Sequence, residues 1–204
     1  MMMILSALLF SISSCLDNVV VGMAYGIKKI KIGIIANLII AVVTTTGTFL
    51  SMSLGMYISK FLPQSVSNIL GAGIIVILGI YFVIQSIIKF THNTNSKELA
   101  LNDLSEMFVY AENSDFDKSG DIDIKEAFIL AFGLTFNNVG AGIAASITGV
   151  NIYLTVISTF IISILTIIFG ESIGKNVLGK FLGKYAPLIA GILLIILGFI
   201  EMFN

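Results

Sequence analysis

The sequence predicts an all-α membrane protein of six transmembrane helices, arranged as two inverted three-helix repeats. Three observations carry this. First, 57% of the 204 residues are hydrophobic and only 11% are charged, where ordinary soluble domains carry about 25% charged residues. Second, the charges leave long gaps. Residues 32–59, 61–88, 127–170 and 185–200 carry none, and a span needs roughly 20 apolar residues. Third, a polar motif recurs. "LDNVVVGMA" (16–24) aligns with "FNNVGAGIA" (136–144) without a gap, matching Asn18, Val19, Gly22 and Ala24 to Asn138, Val139, Gly142 and Ala144.

The helices are predicted over about 2–26, 32–59, 66–90, 124–148, 152–174 and 186–203. The opening "MMMILSALLFSISSC" has the outline of a lipoprotein signal ending in a cysteine, but it lacks the positive n-region. Its apolar run also continues past Cys15, so 2–26 reads as one helix. The uncharged run 127–170 is long enough for two spans and divides at "TGVN" (148–151). The two prolines, Pro63 and Pro187, each precede the third helix of their half, where a proline starts a helix without removing a needed donor. The halves are 1–91 and 124–204, joined by a loop over 92–123. Three helices per half reverse the direction of the second, which is the inverted repeat that transporters use to build a midplane site.

All eleven basic residues are lysine. With six spans, Lys28, Lys29, Lys31, Lys89, Lys97, Lys118, Lys125, Lys175, Lys180 and Lys184 fall on one face, and only Lys60 on the other. The positive-inside rule places the ten in the cytoplasm, with the 92–122 loop, and both termini outside. The expected setting is a multi-pass cell-membrane protein. Net charge is −1, so nothing points to nucleic acid as a partner.

Asp17 stands near the centre of the first helix, and Asn137 and Asn138 near the centre of the fourth. A carboxylate at that depth costs at least about 2.5 kcal/mol on the insertion scale, so it should face the protein interior with a partner. The repeat symmetry would bring Asp17 and Asn18 against Asn137 and Asn138. That set offers one carboxylate, three carboxamides and any carbonyls freed where helices break. Such oxygen donors suit Mg, Ca or Mn rather than copper or zinc. Hydroxyls in "TTTGT" (44–48), with Ser158, Thr159, Ser163 and Thr166, either line a path or bond to their own helix carbonyls. Gly22 with Gly26, Gly170 with Gly174, and Gly179 with Gly183 are spaced for close helix packing. Glu171 and Glu201 read as solvated helix ends.

The segment "DFDKSGDIDIKE" (115–126) fits a twelve-residue EF-hand calcium loop, which takes oxygen ligands at positions 1, 3, 5, 7, 9 and 12 and glycine at 6. These are Asp115, Asp117, Ser119, Asp121 through its carbonyl, Asp123 and Glu126, with Gly120 at the turn. Leu101, Leu104, Phe108 and Ala111 recur at helical spacing before it. The expected ligand is Ca²⁺, and the helix leaving the hand is the one carrying Asn137. Hands usually pair. The sequence holds a single one, which a homodimer would pair.

With these residues in view, "LDNVVVG" and "FNNVGAG" in a six-helix chain with an acidic loop before the fourth helix resemble the MntP-type manganese efflux pumps. The resemblance is closest to the YtaF sporulation membrane proteins, related to the lysine-exporter superfamily, and covers essentially the whole chain. It implies cation export. The family pattern S-L-D-x-x-x-x-G is met by Asp17 and Gly22 in the first repeat. In the second, Asn137 stands where aspartate is usual, leaving the midplane one negative charge fewer. The leading function is export of a divalent cation, Mn²⁺ or similar, with the calcium loop regulating it. The alternatives are an exporter of an amino acid or small solute, and a non-transporting sporulation membrane protein that senses calcium. The single histidine, His92, sits at a loop edge and no nucleophile–base set exists, so an enzyme is not expected.

Overall fold

The structure, a computed structural model, describes residues 2–91, 115–175 and 179–203, with the backbone alone for Asn137, for residues 179–184 and for a few others. Seven helices make up the described residues: α1 (Met2–Ser14), α2 (Leu16–Lys28), α3 (Ile34–Ser59), α4 (Gln64–Thr91), α5 (Ile124–Ile147), α6 (Ile152–Gly174) and α7 (Gly179–Met202). The predicted entering helix over 101–111, with His92 and Lys97, lies outside the described residues.

Two boundaries differ from expectation. The first predicted helix is broken at Cys15, which has φ −100° and ψ 5° and separates α1 from α2. The last helix starts at Gly179, so Pro187 lies inside α7 rather than before it. "GKFLGKYA" reads as a loop because its lysines and glycines dilute the apolar pattern, yet tertiary context overrides such weak propensities. Pro63 behaves as expected: its carbonyl accepts from the N–H groups of Val66 and Ser67 as α4 begins.

Four described spans are long and apolar enough to cross a membrane: Met3–Lys28, Ile34–Ser59, Val66–Ile88 and Ile152–Gly174. Ile124–Phe136 and Asn138–Ile147 make a fifth if counted together, with a bend of 49° between them. In α7 the apolar stretch Leu188–Met202 is shorter. The helices expose large apolar side chains such as Phe128, Phe132 and Phe136 on α5 and Ile157, Ile161, Leu165 and Ile168 on α6. Soluble monomers do not leave faces of this extent in water; lipid covers them.

α2 packs on α6, α3 on α5 and α6, and α4 on α7. Glycines set the closest approaches, since a Cβ on Gly22 would stand 2.6 Å from the Ile167 carbonyl oxygen, and one on Gly26 2.3 Å from that of Glu171. Gly170 and Gly174 answer from α6, where added Cβ atoms would lie 2.4 Å from Val19 O and 2.3 Å from Met23 O. Backbones this close are what small residues permit in membrane bundles. Gly179 and Gly183 are described by backbone only.

The core has two apolar clusters. One gathers Tyr25, Ile40, Ile122, Leu130 and Ile167 near the acidic loop. The other gathers Phe10, Met52, Ile75, Leu194 and Leu197 toward the opposite end. Buried polar side chains lie between and beside them.

Candidate functional site

At the recurring motif the first helix is interrupted and the other is bent. The break at Cys15 falls two residues before Asp17, and the bend in α5 falls at residue 137. An interrupted helix leaves backbone groups without their usual partners, and inside a membrane these must be satisfied by protein or by what the cavity holds. Here one of them is satisfied by the other half. Asn138 Nδ2 donates to the carbonyl of Ser14, in the last turn of α1, at 2.8 Å. The same nitrogen stands 3.2 Å from Asp17 Oδ2 and 3.3 Å from the Leu134 carbonyl of its own helix. Asp17 Oδ1 accepts from the backbone N–H of Asn18 at 2.8 Å.

The structure thus brings Asp17 and Asn138 together. Asn18 turns elsewhere: it is buried, and its Nδ2 donates to Ser163 Oγ of α6 at 2.9 Å. Ser163 also lies 3.4 Å from Thr44 Oγ1 of α3. Asn137 sits at the bend, and its side chain lies outside the described residues.

The expected hydroxyls divide in two. Thr44 and Thr48 donate to the carbonyls of Ile40 and Thr44, and Thr166 to that of Ile162, as ordinary helical threonines do. Ser163 and Thr159 instead link helices, with Thr159 Oγ1 donating to Ser11 Oγ at 3.0 Å. Thr45 Oγ1 and Asn37 Oδ1 are buried on α3 with no partner among the described residues. Ser158 is half-buried on α6. Sequence reasoning missed the Ser14 carbonyl, because an acceptor made by a helix break has no residue-type signature.

The acidic loop has the local geometry of its pattern. Gly120 has φ +82°, in the left-handed region that favours glycine, and Lys118 has φ +55°. One carboxylate oxygen each from Asp115, Asp117 and Glu126 lie within 4.8 Å of one another. Asp115 and Glu126 are buried; Asp117 is exposed. Asp115 Oδ1 and Asp117 Oδ1 each accept from Ser119 N at 3.0 Å. Hydrogen bonds from Ser119, side chain and backbone, hold the Asp117 carboxyl below its ordinary value, so it is charged at neutral pH. Ser119 Oγ and the Asp121 carbonyl oxygen lie 2.8 Å apart. Asp123 caps α5: its side chain accepts from Glu126 N, while the Glu126 side chain accepts from Asp123 N in a capping box.

A backbone bridge ties this loop to the first half. Lys31 N donates to Gly120 O, and Ile122 N to Lys31 O, both at 3.0 Å. Lys31 is exposed between buried Ile30 and Ile32, the period-two alternation of a strand. That short alternation was a signal for the bridge in the sequence. The backbone partner of Gly120 and Ile122 is therefore the α2–α3 connection of the same chain.

One further departure stands at the opposite end. Glu201, expected to be solvated, is 5% exposed and accepts from Ser6 Oγ of α1. It lines a cavity of about 630 Å³ together with the starts of α1, α4 and α6 (Ser6, Ser67, Tyr153) and the ends of α3 and α5 (Met56, Ile147). Chain ends gathered in this way mean that the six helical rods, α1 with α2 counted as one, run alternately up and down. Glu171 is half-buried and pairs with Lys175 at 2.7 Å.

Comparison with known proteins adds two findings. Residues 99–202 match the MntP family, described as "Putative manganese efflux pump". Over 97% of its length the chain is 33% identical to the "Probable sporulation protein YtaF" of Bacillus subtilis (strain 168), covering 98% of that protein. No solved structure matches.

Proposed function

The chain belongs to the MntP manganese efflux pump family, a family of transporters rather than enzymes, and from that premise we propose that it exports a hard divalent cation, Mn²⁺ or one like it, through a site formed by Asp17, Asn138 and the carbonyl of Ser14. The observation that carries this reading is Asn138 bridging the α1–α2 break and the Asp17 carboxylate at once. Asp17 supplies the charge. The Ser14 carbonyl at the α1–α2 break supplies a neutral oxygen, of the kind Mn²⁺ accepts. Asn137 stands at the bend in α5 and would add a carboxamide oxygen. Asn18 holds α2 to α6 through Ser163 and positions Asp17 next to it in sequence.

The reading includes six spans in two inverted halves, 1–91 and 124–204, with both termini outside. Two features support the symmetry: each half distorts its first helix at the motif, by a break at Cys15 in one and a 49° bend in the other, and the first helix of each half packs on the second helix of the other. The lysines support the sidedness, since Lys28, Lys29 and Lys31 stand at the end of the bundle that carries the acidic loop.

The loop over 115–126 is read as a Ca²⁺ site. Three carboxylates converge with a serine hydroxyl and a backbone carbonyl nearby, the hard-oxygen set that calcium takes. Asp115, Asp117 and Glu126 are the carboxylate ligands, with Ser119 and the Asp121 carbonyl. Asp123, engaged in the cap, would act through water. Calcium would grip the start of α5 and, through Lys31, the end of α2. It would thereby bear on both helices of the midplane site. A regulatory effect requires different calcium affinities in the two transport states.

The deciding experiment is Mn²⁺ movement in proteoliposomes of the purified chain, with and without Ca²⁺ on the loop side. Movement of an amino acid with no Mn²⁺ movement would replace the cation reading with solute export. Calcium binding without any transport would favour a calcium-sensing membrane protein.

A further inference from the structure

We propose that Glu201 and Ser6 form a second cation site at the end of the bundle opposite the acidic loop, where a hard divalent ion is held as it passes between the midplane and the outside. This rests on the export reading above.

Glu201 occupies the last turn of α7. A helix C-terminus is the negative end of the helix dipole and disfavours a carboxylate. A glutamate so near the chain end and the membrane surface could turn outward to water at little expense. Instead it is turned inward and 95% removed from solvent, at 5% exposure. Its hydrogen bond comes from Ser6, itself buried at 1%. Among the described residues no ion pair reaches it, and Lys60, the lysine at that end, is exposed. A buried carboxylate is costly unless hydrogen bonds, a proton or a cation offset its charge, and a hard divalent ion is one such partner.

The surroundings fit an ion. The cavity of about 630 Å³ onto which Glu201 opens carries oxygen donors from other helices, among them Ser59, Asn68 and Asn151. Carboxylate, hydroxyl and carboxamide oxygens are the donors of Mg, Ca and Mn. Ser6 lies on the same helical rod as Asp17, eleven residues away, or about 16 Å at 1.5 Å per residue. Between them two buried polar pairs fasten this rod to α6: Thr159 donates to Ser11, and Asn18 to Ser163. The alternative is a structural pin, in which Ser6 and Glu201 merely fasten α1 to α7.

The two differ in Mn²⁺ binding. The full-length chain in nanodiscs, carrying Asp17→Asn and Glu126→Gln to silence the other sites, is titrated with Mn²⁺ and free ion is read by EPR. A remaining site is expected, weakened at least about tenfold by adding Glu201→Gln, the lower end of what losing even an outer-shell metal partner costs. Glu201→Asp should retain it and Ser6→Ala should weaken it less; these two carry the test if Glu201→Gln fails to fold. No remaining site, or one indifferent to all three changes, overturns the proposal and leaves the pin. In proteoliposomes, Mn²⁺ on the outer side should slow export, and Glu201→Gln should raise the concentration needed. Absent transport by the unsubstituted chain sinks the export reading. Transport present but equally inhibited in Glu201→Gln sinks the outer site alone.

Discussion

Asn138 Nδ2 stands 2.8 Å from the Ser14 carbonyl and 3.2 Å from Asp17 Oδ2, so one amide of the second half holds both the helix break and the carboxylate of the first. An amide in that position keeps the break open and its acceptors aimed inward. A cation displacing it would meet the same oxygens.

Asp17→Asn should therefore abolish Mn²⁺ transport while leaving insertion and folding largely intact, because an amide oxygen can still accept from Asn138 but carries no charge. Normal transport by this variant would make Asp17 structural. Asn137→Asp should restore the family pattern and favour divalent over monovalent ions. Unchanged ion preference would remove position 137 from the ion's path.

Glu126→Gln should weaken Ca²⁺ binding by at least about tenfold, since affinity in such loops follows the count of charged ligands. On the regulatory reading it alters the calcium dependence of transport without touching the midplane. Equal transport rates in chelator and in saturating calcium would make the loop a clip that orders the chain and nothing more.

Because the bridge between the halves is made by backbone groups, Lys31→Ala should leave calcium binding near normal. Lys31→Pro deletes the N–H that donates to Gly120 O, and it should lower calcium affinity. Isothermal titration of both variants decides it. Equal binding by the two would mean that the bridge does not stiffen the loop.

Gly26→Ala adds a Cβ 2.3 Å from the Glu171 carbonyl oxygen, a backbone atom that cannot swing away. Overpacking of this kind costs roughly 1–3 kcal/mol, so thermal unfolding in detergent should come earlier. Gly133→Ala, with open space at its Cβ, is the control and should be near neutral. A Gly26→Ala protein as stable as the control would disprove the close α2–α6 crossing.

Sidedness follows from the ten-to-one lysine split. A cysteine placed at Lys97 should label only after the membrane is permeabilised. Efficient labelling in intact cells by an impermeant reagent would invert the topology.

Much of this protein was legible in its sequence. Apolar length set the membrane class, and the helix bounds 124–147 and 152–174 fall within a residue of expectation, because a continuous apolar run of that length satisfies its own backbone groups in lipid only as a helix. The matched Asn-Val-x-x-Gly motifs marked the two helices that bring Asp17 and Asn138 together, and the loop pattern placed Gly120 where the chain turns with positive φ. Composition could not read the break at Cys15 or the helical start at Gly179: a freed carbonyl has no residue type, and lysine with glycine looks like a loop whatever packs against it. Only the tertiary structure decided that Asp17 meets Asn138 while Asn18 turns to Ser163, that Lys31 bonds to the backbone of the acidic loop, and that Glu201 faces inward. Each depends on which residues distant in the chain share a depth in the bundle, and that is set by the packing of helix on helix at Gly22, Gly26, Gly170 and Gly174, not by any local pattern.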